Sequence, residues 1–180
     1  VVTSQRPRAK WGVLVLLGAA ALVIYVADQV TKMLVVAHLV EGQPVQVLGD
    51  FLVFHFVRNP GAAFSLASGS TWIFSILAAV VTAAIIFFAR KITSPAWAVV
   101  FGLLLGGTVG NLTDRLTREP SFGEGHVIDF ISTPWMLPAI YNIADIAIVS
   151  SMILFVLLTI LGINIDGTRN RKEKPAEEVL

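Results

Sequence analysis

The 180-residue chain contains no cysteine, which excludes disulfides and thiol catalysis and leaves its redox compartment unmarked. Charge is scarce as well. Asp, Glu, Lys and Arg make up 14% of the residues, against about a quarter in a soluble domain. A chain this poor in charge is short of water-facing residues. Several site motifs are also missing. There is no HExxH pattern, and His38, His55 and His126 are scattered, so no metal site is expected. No GxSxG elbow supports a serine nucleophile, and no Walker A loop supports nucleotide binding. No clear internal repeat or low-complexity tract is present. A single domain over residues 1–180 is expected, with no cofactor and no nucleic-acid partner.

What the sequence does have is long uncharged apolar runs. Trp11–Ala27, Ser70–Ala89 and Thr93–Thr113 carry no charge, and Ile131–Ala144 and Ile146–Ile165 flank the single acid Asp145. A membrane-spanning helix needs roughly 20 such residues. The composition therefore predicts an all-α membrane protein with four transmembrane helices, at about 11–36, 70–89, 95–113 and 139–163. The first run is longer than the roughly 7–15 residues of a signal-peptide core, and it continues past Asp28. It reads as a retained helix, despite Arg6, Arg8 and Lys10 before it. Four spans put both termini and the 90–95 loop on one side, which then holds nine of the 13 Lys and Arg residues. Only Lys32, Arg58, Arg115 and Arg118 remain on the other. The positive-inside rule makes the first side cytoplasmic. Trp11 and Trp97 near inner ends, and Trp72 and Trp135 near outer ends, fit an aromatic belt.

The first outer loop, roughly 38–70, contains VQVLGDFLVFHFVRNPGAAFSL. Its Val, Phe and Leu content, with Gly49-Asp50 as a turn, predicts a short β-hairpin over about 45–57. So much apolar surface should lie against protein or lipid headgroups. Pro95 marks the start of the third helix. That helix carries Gly102, Gly106 and Gly110, a GxxxGxxxG stripe expected to be a packing face. The tail 166–180 is expected to be disordered.

Polar groups gather at the outer boundary. ADQVTK places Asp28 and Lys32 at i,i+4 with the acid first, the favourable order for an ion pair. VRNPGAAF supplies Arg58 and Asn59, and GNLTDR supplies Asn111, Asp114 and Arg115. GHVIDF gives Asp129, and YNIAD puts Asn142 and Asp145 on one face of the fourth helix. An acid at a span centre costs about 2.5–3.5 kcal/mol on insertion scales, so carboxylates converging from distant segments at one depth call for a purpose. Two carboxylates held close cannot both ionise, so one keeps a proton while the other acts as base. A water between them can be activated for attack on a carbonyl, with no metal required.

In this order and spacing, DQVTK, RNPGAAFS, GGTVGNLTDR, GHVIDF and YNIAD resemble the motifs of bacterial lipoprotein signal peptidase (signal peptidase II), over about Asp28 to Asp145. The resemblance implies an intramembrane aspartic endopeptidase of the bacterial plasma membrane. It would remove signal peptides from prolipoproteins before a diacylglyceryl-modified cysteine, with its site near the outer face. Carried over by motif, the catalytic aspartates fall on Asp129 and Asp145, and the substrate-binding residues on Asn59, Asn111, Arg115 and Asn142. Asp28, Lys32, Asp114, Gly61 and Gly110 fall in support positions. A β cradle and a mobile outer segment over the site are implied, as are lipid-modified prolipoproteins and membrane lipids as partners of a monomer. Tyr141 stands where the family more often has Phe.

The residues alone leave Asp114 and Asp129 open as partner to Asp145. Asp114 sits beside Arg115, and a nearby positive charge favours the ionised acid. Asp114 and Arg115 are therefore expected to lock each other or neighbouring loops, with a direct role for Asp114 as the alternative, and Asp129 is the better holder of a proton. Plainer roles are open too: a turn before Pro60-Gly61 for Asn59, and interhelical hydrogen bonds for Asn111 and Asn142. Two other functions compete with this one, an ion-coupled carrier and a scaffold built on the glycine stripe. The first lacks matching acids in the cytoplasmic half, and the second leaves the polar cluster unexplained.

Overall fold

The structure, a computed structural model, describes residues 11–61 and 71–169. The basic group Arg6, Arg8 and Lys10, residues 62–65 of RNPGAAFS and the tail from 170 onward lie outside the described residues. Four long helices form the body: α1 (Trp11–His38), α2 (Thr71–Phe88), α3 (Pro95–Thr117) and α4 (Ile143–Ile160). Each is long and apolar enough to cross a membrane. Large apolar side chains such as Leu22, Val23, Phe87 and Ile153 point outward from them, an inversion that lipid accommodates and water does not.

The helix α3 packs against all three others, and its glycines explain how. A Cβ added at Gly102 would lie 2.7 Å from Ala20 Cβ, and one at Gly106 only 2.6 Å from the Ala21 carbonyl oxygen. Gly107 meets α4 in the same way, with a Cβ position 2.5 Å from the Ala144 oxygen. With little hydrophobic drive between helices in lipid, such close backbone approach supplies the packing energy. The glycine stripe is thus a packing face, shared between α1 and α4.

At the end of the bundle where α1 and α3 begin, Val13, Leu17, Trp97 and Leu158 make one buried cluster. Trp97 is a core residue here rather than part of an exposed belt: it is buried and donates Nε1–H to the Ile163 carbonyl at 2.9 Å. The chain after α4 turns back beneath α3, where the Thr93 and Ser94 amides donate to the Ile165 carbonyl at 3.1 Å each. This turn extends to Arg169, which pairs with Ile163, so the ordered chain runs into the segment expected to be disordered.

At the other end lies an antiparallel sheet of β1 (Pro44–Gln46), β2 (Val53–Asn59), β3 (Val127–Thr133) and β4 (Leu137–Tyr141), in that spatial order. The loop between α1 and α2 supplies a hairpin turning at Gly49 with φ 55°. The loop between α3 and α4 supplies two further strands that the expected hairpin in the first loop did not include. The fourth helix accordingly starts at Ile143 rather than 139, because 137–141 pair with β3. Phe56, Ile128 and Phe130 pack with Val35 of α1 and seat the sheet on the bundle.

Candidate active site

Asp129 lies in the middle of β3, and the sheet register decides its neighbours. Between β2 and β3 the pairing passes from Phe54↔Ile131 to Val57↔Asp129. Strand β2 therefore spends one residue more than β3 across this stretch, which is a β-bulge. A bulge re-aims the side chains that follow it. Without it Phe56 would oppose Asp129, and Arg58 would sit diagonally beside the acid. With it, Asn59 takes that place and donates Nδ2–H to Asp129 Oδ2 at 2.8 Å. Asn59 is itself fixed, since its Oδ1 accepts the Gly61 amide at 3.0 Å. Arg58 is turned to the opposite face, onto Phe56 and Glu41.

Asp145 is placed by the way α4 begins. Asn142 caps the helix: its Oδ1 accepts the Asp145 amide at 3.0 Å, while its own amide donates to Asp145 Oδ2 at 3.1 Å. This reciprocal capping box satisfies two otherwise orphaned helix N–H groups. The remaining donor of Asn142, Nδ2, reaches Asp129 Oδ1 at 2.6 Å. One residue therefore starts the helix and grips both acids. Asn111 of α3 completes the set by donating Nδ2–H to Asp145 Oδ1 at 2.8 Å.

The two acids open onto a cavity of about 260 Å³, lined also by Asn59, Gly61, Asn111, Arg115, Val127 and residues 139–141 of β4. Arg115 is charged toward this space, with Asp145 and Asp129 as its main electrostatic partners. Its Nη1 donates to the Asn111 carbonyl at 3.2 Å, its guanidinium lies 5.8 Å from the Phe74 ring, and its buried Nε has no partner among the described residues. A buried donor left free beside two carboxylates is available to a ligand oxygen. Asp129 itself is 2% exposed. Burial pushes its pKa from the usual 3.8 up to about 7, and the negative charge of Asp145 adds to the rise, while Asn59, Asn142 and Lys32 oppose it.

Two acids, one half-buried and one buried, joined through a shared asparagine and facing an arginine, fit acyl hydrolysis. The family described as signal peptidase (SPase) II matches residues 20–161. This chain belongs to that signal peptidase II family. A lipoprotein signal peptidase from Leifsonia xyli subsp. xyli is 60% identical over 94% of this chain and 78% of its own length. The lipoprotein signal peptidase of Streptomyces coelicolor is 47% identical over 91% of this chain and 79% of its own. Among solved structures, a bacterial membrane enzyme superposes with a TM-score of 0.74 at 28% identity, covering 96% of this chain and 99% of the other. With four apolar spans and such neighbours, this signal peptidase II family member is a multi-pass membrane protein.

Against the motif assignments, Asp129, Asp145, Asn59, Asn111, Arg115 and Gly61 all border the cavity, and Asn142 lies behind the acids. Asp28 and Lys32 form the expected ion pair at 2.8 Å, with neither side chain exposed. Gly110 makes room for it, since a Cβ there would fall 2.6 Å from Asp28 Oδ2. Of the two expected locks, Asp114 makes the one to its neighbouring loop and not the one to Arg115: it pairs with Lys32 at 2.8 Å and Arg118 at 2.6 Å, and accepts the Ile128 amide at 3.2 Å. On a helix, i and i+1 diverge while i and i+4 align, which is why Arg118 and not the adjacent Arg115 is the partner. Sequence reading also missed Gln29, whose Nε2 donates to Asp28 Oδ2 and the Gly110 carbonyl, both at 3.1 Å. The N-x-x-D spacing of Asn142 and Asp145 was the available signal for the cap.

Proposed function

We propose that this chain is an intramembrane aspartic endopeptidase that removes the signal peptide from prolipoproteins, hydrolysing the bond before the diacylglyceryl-modified cysteine. The observation that carries this reading is the grip of Asn142 on both Asp129 and Asp145. It holds two carboxyl groups at one cavity, where one proton can be shared. A water between them gives its proton to the ionised acid as its oxygen attacks the carbonyl carbon. The protonated acid donates to the carbonyl oxygen, forming a neutral tetrahedral diol. Collapse of the diol breaks the C–N bond, and the new amine takes a proton from the dyad. Metal plays no part in these steps.

The amide hydrogens of Asn59, Asn111 and Asn142 point at the carboxylates, so these three orient the acids more than they bind peptide. Arg115, with its free Nε, is the group that meets the substrate carbonyl, a contribution worth a few kcal/mol. A helical signal peptide hides its backbone, so the scissile segment must extend. Edge strand β4 suits it better than the 45–57 hairpin, because β4 borders the cavity and the hairpin lies beyond β3. Strand addition there supplies main-chain hydrogen bonds. The diacylglyceryl chains lie among the apolar spans, each buried CH₂ adding about 0.8 kcal/mol. The enzyme acts as a monomer, with its termini in the cytoplasm and the dyad near the outer face.

The test is cleavage of a diacylglyceryl-modified prolipoprotein by purified protein in detergent, with Asp129→Asn, Asp145→Asn and Asp114→Asn each checked for folding. Loss in the first two alone supports the dyad. Full loss in a folded Asp114→Asn, with cleavage surviving in Asp129→Asn, moves the dyad to Asp114. No cleavage by the well-folded parent discards the reading.

A further inference from the structure

The mechanism needs one acid ionised and the other protonated, and the surroundings of the pair are unequal. Lys32 is fully buried on α1 and makes three contacts: Asp28 Oδ2 at 2.8 Å, Asp114 Oδ2 at 2.8 Å and Asn111 Oδ1 at 2.9 Å. An ammonium has three N–H groups and no acceptor, so every donor is spent. The third contact fixes Asn111. Its Oδ1 lies between Lys32 and the Asn142 amide, which donates to it at 3.2 Å. A flipped amide would set N–H groups against two donors. Asn111 therefore must aim Nδ2 at Asp145 Oδ1, where it sits at 2.8 Å.

We propose that Lys32, acting through Asn111, holds Asp145 as the ionised base and leaves the proton of the dyad on Asp129. This deepens the peptidase reading and rests on it for the catalytic roles, but the location of the proton can be measured without turnover. Lys32 is a positioning residue, since it touches neither water nor substrate.

Three features agree. A hydrogen-bond donor polarised by a cation is strengthened for a negative acceptor. Asp145 also accepts a backbone N–H in the first turn of α4, where the helix dipole favours negative charge. Among the described residues Asp129 receives two neutral amides, and it is nearly sealed from solvent, which favours its neutral form. The other charges nearby do not reverse this order. Asp28 and Asp114 are neutralised by Lys32 and Arg118. Arg115 acts more strongly on Asp145 than on Asp129. Arg58 is on the far face of β2, paired with Glu41. Tyr141 of β4 bonds Thr133, and α2 brings no charge.

Infrared difference spectra of the purified enzyme near neutral pH test the assignment. The C=O stretch of a protonated carboxyl is expected in the parent and absent in Asp129→Asn; in Asp145→Asn it is expected to persist but to vanish at a lower pH than in the parent, because the charge of Asp145 no longer raises the Asp129 pKa. A band kept in Asp129→Asn, or one absent from Asp145→Asn at every pH, overturns the proposal. The part played by Lys32 is read from a pH profile of Asp28→Asn/Lys32→Met, which removes one charge of each sign and leaves the Asp114–Arg118 pair. Its kcat is expected to fall about 100-fold, with KM within about threefold. The alkaline limb should move to higher pH, because Lys32 opposes proton retention on Asp129. A limb that stays in place assigns Lys32 to structure alone and overturns its part. If this variant does not fold, Lys32→Arg decides: it keeps the cation, so its limb is expected in place with a lowered kcat, and a shifted limb counts against the proposal.

Discussion

Single residues here are placed by what they are allowed to touch. Asp129 has a pKa of about 7 because burial and the charge of Asp145 outweigh the amides of Asn59 and Asn142. The unfolded chain releases this proton near 3.8 while the folded protein keeps it to about 7, so this group makes stability fall as pH rises through that window. Asp129→Asn does not titrate. Its thermal midpoint relative to the parent, in detergent, should be more favourable at pH 8 than at pH 5, and an equal difference at both would refute the burial argument. The same proton predicts that kcat/KM falls above about pH 7, with an apparent value belonging to the pair. Asp114 is different, since its partners Lys32 and Arg118 are cations. Asp114→Asn leaves Lys32 a single carboxylate and should cost about 3–5 kcal/mol of stability. Cleavage per folded molecule should survive in part. The acids were legible in the sequence as costly residues at one depth. Their partners were not, because adjacency in the chain pointed to Arg115 and helix geometry chose Arg118.

Elements add phase, which no residue carries alone. The bulge in β2 shifts the strand by one residue and exchanges Arg58 for Asn59 beside Asp129. A guanidinium there would favour the ionised acid and drain the proton the mechanism needs. Inserting an alanine between Val57 and Arg58, beyond the bulge, should keep Val57 opposite Asp129 and move Arg58 into the place of Asn59. The expected outcome is folded protein with cleavage reduced at least about 100-fold, comparable to a misplaced catalytic group. Unchanged activity would show that the neighbour chosen by the register does not matter to Asp129. The start of α4 is a second case. Asn142 was read as lying on a helix face with Asp145, yet it is the cap. The helix could not begin at 139 because β4 takes those backbone groups into the sheet.

Over the whole molecule, four apolar helices hold a polar end against a sheet drawn from two loops far apart in sequence. The orientation is proposed from charge, and the absence of cysteine makes it easy to test. In intact cells, Ser121→Cys should react with an impermeant maleimide, and Lys91→Cys only after permeabilisation; the reverse pattern would invert the molecule. By itself, the amino-acid sequence determined the four apolar spans, the gathering of the acids toward one end of them and the glycine stripe. Each of these is a local property, a sum of side-chain transfer energies or a spacing along one helix. Only the tertiary structure decided that Asn142 joins both acids, that Asp114 belongs to Lys32 and Arg118, and that β3 and β4 complete the sheet. The contacts of Asn142 with Asp129 and of Lys32 with Asp114 join separate elements, set by strand register and by which helix faces meet, and no period in the sequence encodes them.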